Sequence, residues 1–99
     1  MGKVYGILLN EKDNVATALS DAMAGDLIEF ANCTVSQEME LAETIPYGFK
    51  FAVQAIRKGE EIIKYGEIIG LATEDISRGS MVHVHNVEGQ RARGDLIID

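Results

Sequence analysis

The 99 residues carry 16 acidic and 9 basic side chains, which gives a net charge of −7. An acidic surface of this kind does not suit non-specific binding of nucleic acid. A length of 99 residues predicts a single domain, residues 1–99. The single cysteine, Cys33, excludes an internal disulfide and favours a cytoplasmic protein. Neither a secretory signal pattern nor an apolar run long enough for a membrane-spanning helix is present, so we expect no membrane association.

The apolar runs are short and are separated by 10 glycines, a pattern typical of an all-β fold. In chain order the runs are Val4–Leu9, Leu27–Phe30, Met39–Leu41, Phe51–Val53, Glu61–Ile63, Ile68–Ala72, Met81–Val84 and Leu96–Ile98. Only two segments, Val15–Met23 and Val53–Lys58, have the spacing to form a short helical turn. We therefore predict short bent hairpins with one or two helical turns.

A weak internal repeat links the segments ALSDAMAGDLI, AVQAIRKGEEII and ATEDISRGSMV. Each has an alanine seven residues before a glycine, and these glycines are Gly25, Gly59 and Gly79. We interpret each copy as a strand, a tight turn with glycine at positive φ, and a second strand. The segment IPYGFKF predicts another turn at Gly48, and KYGEIIG predicts a chain reversal at Gly66.

The two histidines of the chain, His83 and His85, lie within the segment MVHVHN. On a strand, residues two apart face the same side roughly 6.5–7 Å apart, so we expect both imidazoles to share one face with Met81. This pair suits half of a metal site or an acid/base pair. The alternative is two exposed or cross-strand-paired histidines without a chemical role.

Three other stretches carry polar side chains that suit ligand binding. Lys64 and Tyr65 suit binding of a carboxylate, although alternation on a strand predicts that they face opposite sides, with a solvated lysine and a half-buried tyrosine. Asp13 and Asn14 precede an apolar run, where they form either an Asx turn or contacts to a hydroxylated ligand. Arg93 lies in EGQRARGD, either in a solvated turn or in an anion site.

These stretches together resemble a known family. DNVATAL, GFKFAVQAI, IIKYGEIIGLATEDISRGSMVHVHN and RARGD are similar to the N-terminal module of the altronate/galactarate dehydratases, from about Asp13 to Asp95. That module belongs to the SAF group, which has the β-clip fold. The resemblance extends to the separate small subunit of sulfolactate sulfo-lyase, which pairs with a large catalytic subunit.

The resemblance implies a small subunit that completes the active site of a large dehydratase subunit and is inactive without it. The reaction would be a hydro-lyase or related lyase reaction on a hydroxy acid, in which a proton α to a carboxylate is abstracted, with iron, manganese or magnesium as the implied divalent metal. The matched residues take three roles. They are His83, His85 and Lys64 as catalytic residues; Asp13, Asn14, Lys50, Tyr65, Asn86 and Arg93 as substrate-binding residues; and His83 and His85 as metal ligands.

One position departs from the family pattern. The family usually shows Gly-His-Lys where this chain has Gly48, Phe49 and Lys50. The departure leaves open a changed substrate or a regulatory role, so the alternative function is a non-catalytic β-clip module that binds a small ligand or a partner. A structural domain without a ligand is a third reading. Short edge strands also permit association between copies of the chain.

Overall fold

The computed structural model describes residues 3–31 and 36–89, which form nine β-strands and no helix. The all-β prediction is confirmed, and the arrangement is consistent with a β-clip. The predicted helical turns do not form in these ranges. The strands are β1 (Lys3–Ile7), β2 (Val15–Ala18), β3 (Leu27–Ala31), β4 (Ser36–Glu40), β5 (Lys50–Ala52), β6 (Glu61–Lys64), β7 (Glu67–Ala72), β8 (Met81–Val82) and β9 (Val87–Gly89).

Six of these strands form one sheet in the order β4-β3-β1-β2-β5-β8, and three form a second sheet in the order β6-β7-β9. The strands β1 and β3 run parallel, and the other pairs are antiparallel. The segment Val15–Ala18, predicted as part of a helical turn, is instead a strand hydrogen-bonded to β1 on one side and β5 on the other. Pairing on both sides satisfies its backbone groups, which an isolated helical turn of this length would not do.

Four tight turns connect the strands, one more than the three repeat copies found in the sequence. Each contains a glycine at positive φ: Gly25 at 92°, Gly48 at 84°, Gly59 at 89° and Gly79 at 88°. In every copy the glycine N–H donates to a carbonyl at the end of a strand, or one residue beyond it, elsewhere in the chain, at 2.8–2.9 Å. The predicted positive φ at these glycines is confirmed, and the IPYGFKF turn proves to be the fourth member of the set.

The four turns associate in two pairs. An isolated antiparallel bridge joins Ala22 to Ile45, and another joins Ile56 to Ile76. Within a pair, a side chain on one turn accepts a hydrogen bond from a backbone N–H of the other. Asp21 accepts from Tyr47 at 2.8 Å, Thr44 accepts from Ala24 at 3.4 Å, and Asp75 accepts from Lys58 at 2.8 Å. The equivalent fourth position is Ala55, which has no polar side chain.

The turns and strands enclose two adjoining groups of buried side chains. The larger lies within the six-stranded sheet and includes Phe30 and Phe51, whose rings meet edge to face at a centroid distance of 5.8 Å. The smaller includes Val15, Ile62 and Val82 and joins β2 to the second sheet. No helix in the described ranges is long and apolar enough to span a membrane.

Candidate functional site

A cleft of about 250 Å³ lies where the end of β8 meets β5 and the second sheet. Its polar side chains come from Lys50, the first residue of β5, and His83, which follows β8. Its other lining residues are Ile69, Val84, Val87 and Gly89. The sequence interpretation anticipated Lys50 and His83 but missed this apolar wall, because Ile69 and Val87 look like ordinary strand residues.

The Lys50 ammonium is partly withdrawn from solvent at this cleft. Burial, and secondarily the positive charge of Lys64, lowers the pKa of Lys50 below its usual value of 10.5. Lys64 ends β6 in the other sheet, so the positive charges that influence each other here come from different sheets. Within residues 3–31 and 36–89, neither lysine forms a salt bridge. Two neighbouring cations without a carboxylate partner are suited to binding an anion.

The two histidines do not share a strand face as predicted. The strand β8 ends at Val82, and residues 83–86 form a turn in which His83 is half-buried and His85 is exposed. Asn86 produces this turn. Its Oδ1 accepts from the His83 N–H at 2.9 Å, its Nδ2 donates to the Met81 carbonyl at 2.9 Å, and its own N–H donates to the His83 carbonyl at 3.0 Å. Local side-chain hydrogen bonding therefore replaced the strand pattern.

The same bonds determine what Asn86 can do. The residue is 3% exposed, and its side-chain amide is engaged with the backbone of its own turn. In this geometry Asn86 fixes the conformation of the turn that carries His83. Its predicted contact with substrate stays a prediction.

The His83 ring packs against Phe49, with a centroid distance of 4.8 Å and an interplanar angle of 55°. A histidine at position 49, the residue that the resemblance leads us to expect, would place a second imidazole beside His83. With Phe49 in this chain, the site holds one imidazole packed on an aromatic ring.

The donor set for a metal is incomplete among the described residues. They include no group of three or more histidine, cysteine, aspartate or glutamate side chains that could hold a metal ion. His83 and His85 could supply at most two ligands, fewer than the three protein ligands usual for catalytic zinc, the best-described case. A divalent metal stays a prediction that needs ligands from outside the described residues.

Asp13 and Asn14 form a clasp between the two sheets. The Asp13 carboxylate accepts from the N–H groups of Tyr65 at 3.0 Å and Gly66 at 2.8 Å. The Asn14 side chain accepts from the Ile63 N–H and donates to the Glu61 carbonyl, both at 2.8 Å. Both residues are buried. Their predicted contacts to substrate hydroxyls would require giving up these bonds. The geometry therefore gives both residues a structural role, but one that joins distant segments and is not the predicted Asx turn.

Lys64 and Tyr65 lie on the same side of the chain, contrary to the strand-alternation prediction. Tyr65 falls in the turn between β6 and β7, where the predicted reversal at Gly66 is confirmed. The turn brings the Lys64 ammonium to 5.0 Å from the centre of the Tyr65 ring. Tyr65 is 61% exposed rather than half-buried. Both side chains are therefore available to a ligand.

One predicted site residue remains. Arg93 is outside the described residues. A larger cleft of about 430 Å³ is lined by Asn14, Gln54, Gly59, Glu60, Glu61 and Ile63. The two glutamates make this second cleft unsuited to an anionic ligand. The cleft at Lys50 is therefore the better candidate site for an anion.

Comparisons with known proteins identify the family of the chain. Residues 4–90 match the family described as the altronate/galactarate dehydratase SAF domain. The chain is 37% identical over 82 residues to altronate dehydratase of Bacillus subtilis (strain 168) and 42% identical over 80 residues to altronate dehydratase of Escherichia coli (strain K12). These alignments cover 83% and 81% of this chain but only 16% and 15% of those relatives.

A shorter relative is the (2R)-sulfolactate sulfo-lyase subunit alpha of Chromohalobacter salexigens. It is 39% identical over 54 residues, which make up 54% of this chain and 57% of the relative. The module thus occurs both within long dehydratases and as most of a small separate subunit. Because the family match covers most of its length, the chain belongs to the altronate/galactarate dehydratase SAF domain family.

Proposed function

We propose that this chain is the small subunit of a hydroxy-acid lyase and that it supplies the carboxylate-binding wall of an active site completed by a large subunit. The observation that carries the proposal is the cleft in which Lys50 and His83 meet, with Lys64 near enough to lower the pKa of Lys50. The relatives named above are dehydratases and a sulfo-lyase subunit, which supports the same chemistry. Such enzymes act in metabolism, which is in keeping with the cytoplasmic location expected above.

Lys50 and His83 in the cleft, together with Lys64, each have a separate role in this proposal. The ammonium groups of Lys50 and Lys64 hold the substrate carboxylate, and their charge favours the enediolate that forms when the neighbouring carbon loses its proton. His83, at the same cleft, accepts the proton from the carbon next to the carboxylate. A leaving hydroxyl takes up a proton from His83 or from the large subunit and departs as water, whereas sulfite departs as an anion. Elimination of water or sulfite then follows from the adjacent carbon, and the large subunit supplies the remaining groups, including any ligands that complete a metal site.

Direct binding to the isolated chain tests the carboxylate site. Amide resonances in ¹⁵N-labelled protein should shift at residues 49–50, 64–66 and 82–84 when galactarate, altronate or (2R)-sulfolactate is added. We expect dissociation constants on the order of 1 mM, because only one wall of the site is present. Galactitol, which has the hydroxyl groups of galactarate but no carboxylate, should produce no such shifts.

Lysine variants provide the matched control. Lys50→Met or Lys64→Met should abolish the shifts, whereas Lys58→Met, an exposed lysine in a turn, should leave them unchanged. Binding that survives both cleft substitutions, or shifts that follow every lysine of the chain, would refute the carboxylate site.

A second candidate function, binding without catalysis, is favoured by Phe49 beside His83. A chimera in which this chain replaces the matching segment of E. coli altronate dehydratase distinguishes the lyase from the non-catalytic module. Activity of the chimera supports the lyase. A chimera that is inactive but regains activity with Phe49→His supports the non-catalytic module. A folded chimera inactive in both forms would show that the chain does not complete this type of active site.

A further inference from the structure

The turn between β6 and β7 contains an unusual residue. Tyr65 has φ of 61° and Gly66 has φ of 73°, so both central residues of this two-residue hairpin loop are in the left-handed region. Loops of this kind favour Asn-Gly or Gly-Gly, because a residue with a bulky side chain is strained there. Tyr65 is the sole non-glycine residue with positive φ among the residues described.

The fold holds this strained residue with a buried carboxylate. Both oxygens of Asp13, a residue only 5% exposed, accept hydrogen bonds from the Tyr65 and Gly66 N–H groups. These bonds use the backbone alone and would form equally well with asparagine or glycine at position 65. The conformation of the turn therefore does not explain why a tyrosine occupies it.

Packing within the chain does not explain the tyrosine either. Its side chain is 61% exposed and belongs to neither buried group. Its ring contacts the Lys64 ammonium, which lies 5.0 Å from the ring centre. Strained backbone conformations cluster at functional sites, and this one carries an exposed aromatic side chain beside the Lys64 cation.

We propose that Tyr65 is a substrate-contacting residue, retained at the expense of turn stability, whose phenol hydroxyl binds a hydroxyl or carboxylate oxygen of a polyhydroxy acid held by Lys64. This inference rests on the proposed carboxylate site and extends it to the hydroxyl-bearing part of the ligand. The ring also keeps the Lys64 ammonium over its face, which restricts where that charge can lie.

The inference predicts effects of opposite sign on stability and binding. Tyr65→Asn should raise the melting temperature by a few degrees, because asparagine tolerates the left-handed conformation. The same substitution should weaken galactarate binding about 5- to 10-fold, the usual size of one lost hydrogen bond. Tyr65→Phe should leave the melting temperature unchanged and weaken galactarate binding several-fold through loss of the hydroxyl.

Tyr47 supplies the matched control. It is also a turn tyrosine, 67% exposed, but its φ is not positive. Tyr47→Asn should neither raise the melting temperature nor change galactarate binding. Thermal unfolding by circular dichroism and amide shift titration with galactarate measure the two properties on the whole chain.

The outcomes separate this inference from the proposed function. If Lys50→Met abolishes binding while Tyr65→Asn and Tyr65→Phe bind galactarate as tightly as the unmodified chain, the carboxylate site stands and the role of Tyr65 is refuted. If Tyr65→Asn lowers the melting temperature, the strain argument is refuted. If the unmodified chain binds none of the three acids, the carboxylate site fails, and the role of Tyr65 fails with it.

Discussion

Removing the Asp13 carboxylate tests whether the clasp holds the second sheet against the first. In Asp13→Ala, the Tyr65 and Gly66 N–H groups lose both acceptors, at 3.0 and 2.8 Å. A hydrogen bond to a charged group contributes about 1.5–3 kcal/mol when it is shielded from water. The carboxylate is buried but the turn it binds is at the surface, so we take the lower part of that range and expect a loss of about 3–4 kcal/mol. That loss is a large fraction of the roughly 5–15 kcal/mol typical of a domain.

Urea unfolding followed by circular dichroism measures this loss as a fall in the transition midpoint at constant slope. Asp21→Ala is the matched control, because Asp21 accepts one exposed backbone N–H, from Tyr47, and should cost only about 1 kcal/mol. Asp13→Asn, which keeps one acceptor oxygen, should fall between the two. If Asp13→Ala costs no more than Asp21→Ala, the clasp does not hold the sheets together and the reasoning is wrong.

Three further predictions follow from single contacts. Burial and, to a lesser extent, Lys64 lower the pKa of Lys50 in the folded chain, so the unfolded chain binds more protons between that lowered pKa and 10.5, and stability rises with pH across this window. Lys64→Met removes the smaller cause, so an NMR titration of the Lys50 side chain should give a higher pKa; an unchanged value would contradict the proximity of the two ammonium groups. Gly79→Ala should lower the free energy of unfolding in urea more than Gly59→Ala does. A Cβ at position 79 would lie 2.9 Å from a backbone oxygen, whereas a Cβ at position 59 would meet nothing within 4 Å. Equal losses would refute the packing argument. Ala55→Asp should raise the free energy of unfolding by about 0.5–1 kcal/mol, because it adds the side-chain acceptor that the other three turns have. Urea unfolding measures this gain, and a lower midpoint would contradict the equivalence of the four turns.

The turns were the most predictable part of the fold. A glycine seven residues after an alanine, followed by renewed apolar residues, identified three turns at Gly25, Gly59 and Gly79, and the proline-glycine segment identified the turn at Gly48. These predictions succeeded because positive φ is a local requirement that few residues other than glycine meet. The pairing of the turns depends on contacts between distant segments, which a local pattern does not contain.

The candidate site was less predictable, for two physical reasons. Alternation predicted a strand through His85, but the Asn86 side chain competes for the backbone and forms a turn after Val82. The alternation of side chains along a strand likewise predicted that Lys64 and Tyr65 face opposite sides. The positive φ of Tyr65 instead brings its ring close to the Lys64 ammonium. In both cases a side-chain hydrogen bond to the backbone overrode the periodic pattern.

The neighbouring ammonium groups of Lys50 and Lys64 have a consequence for how an anion would be captured. They come from different sheets, and the clasp of Asp13 and Asn14 joins those sheets. The free energy needed to bring two like charges near each other is therefore supplied by folding. An arriving carboxylate would meet a preorganised charge pair and would relieve its repulsion, rather than having to gather two mobile side chains. The molecule has a net charge of −7, which repels anions. The lysines near this cleft make it a locally positive region that favours anion binding.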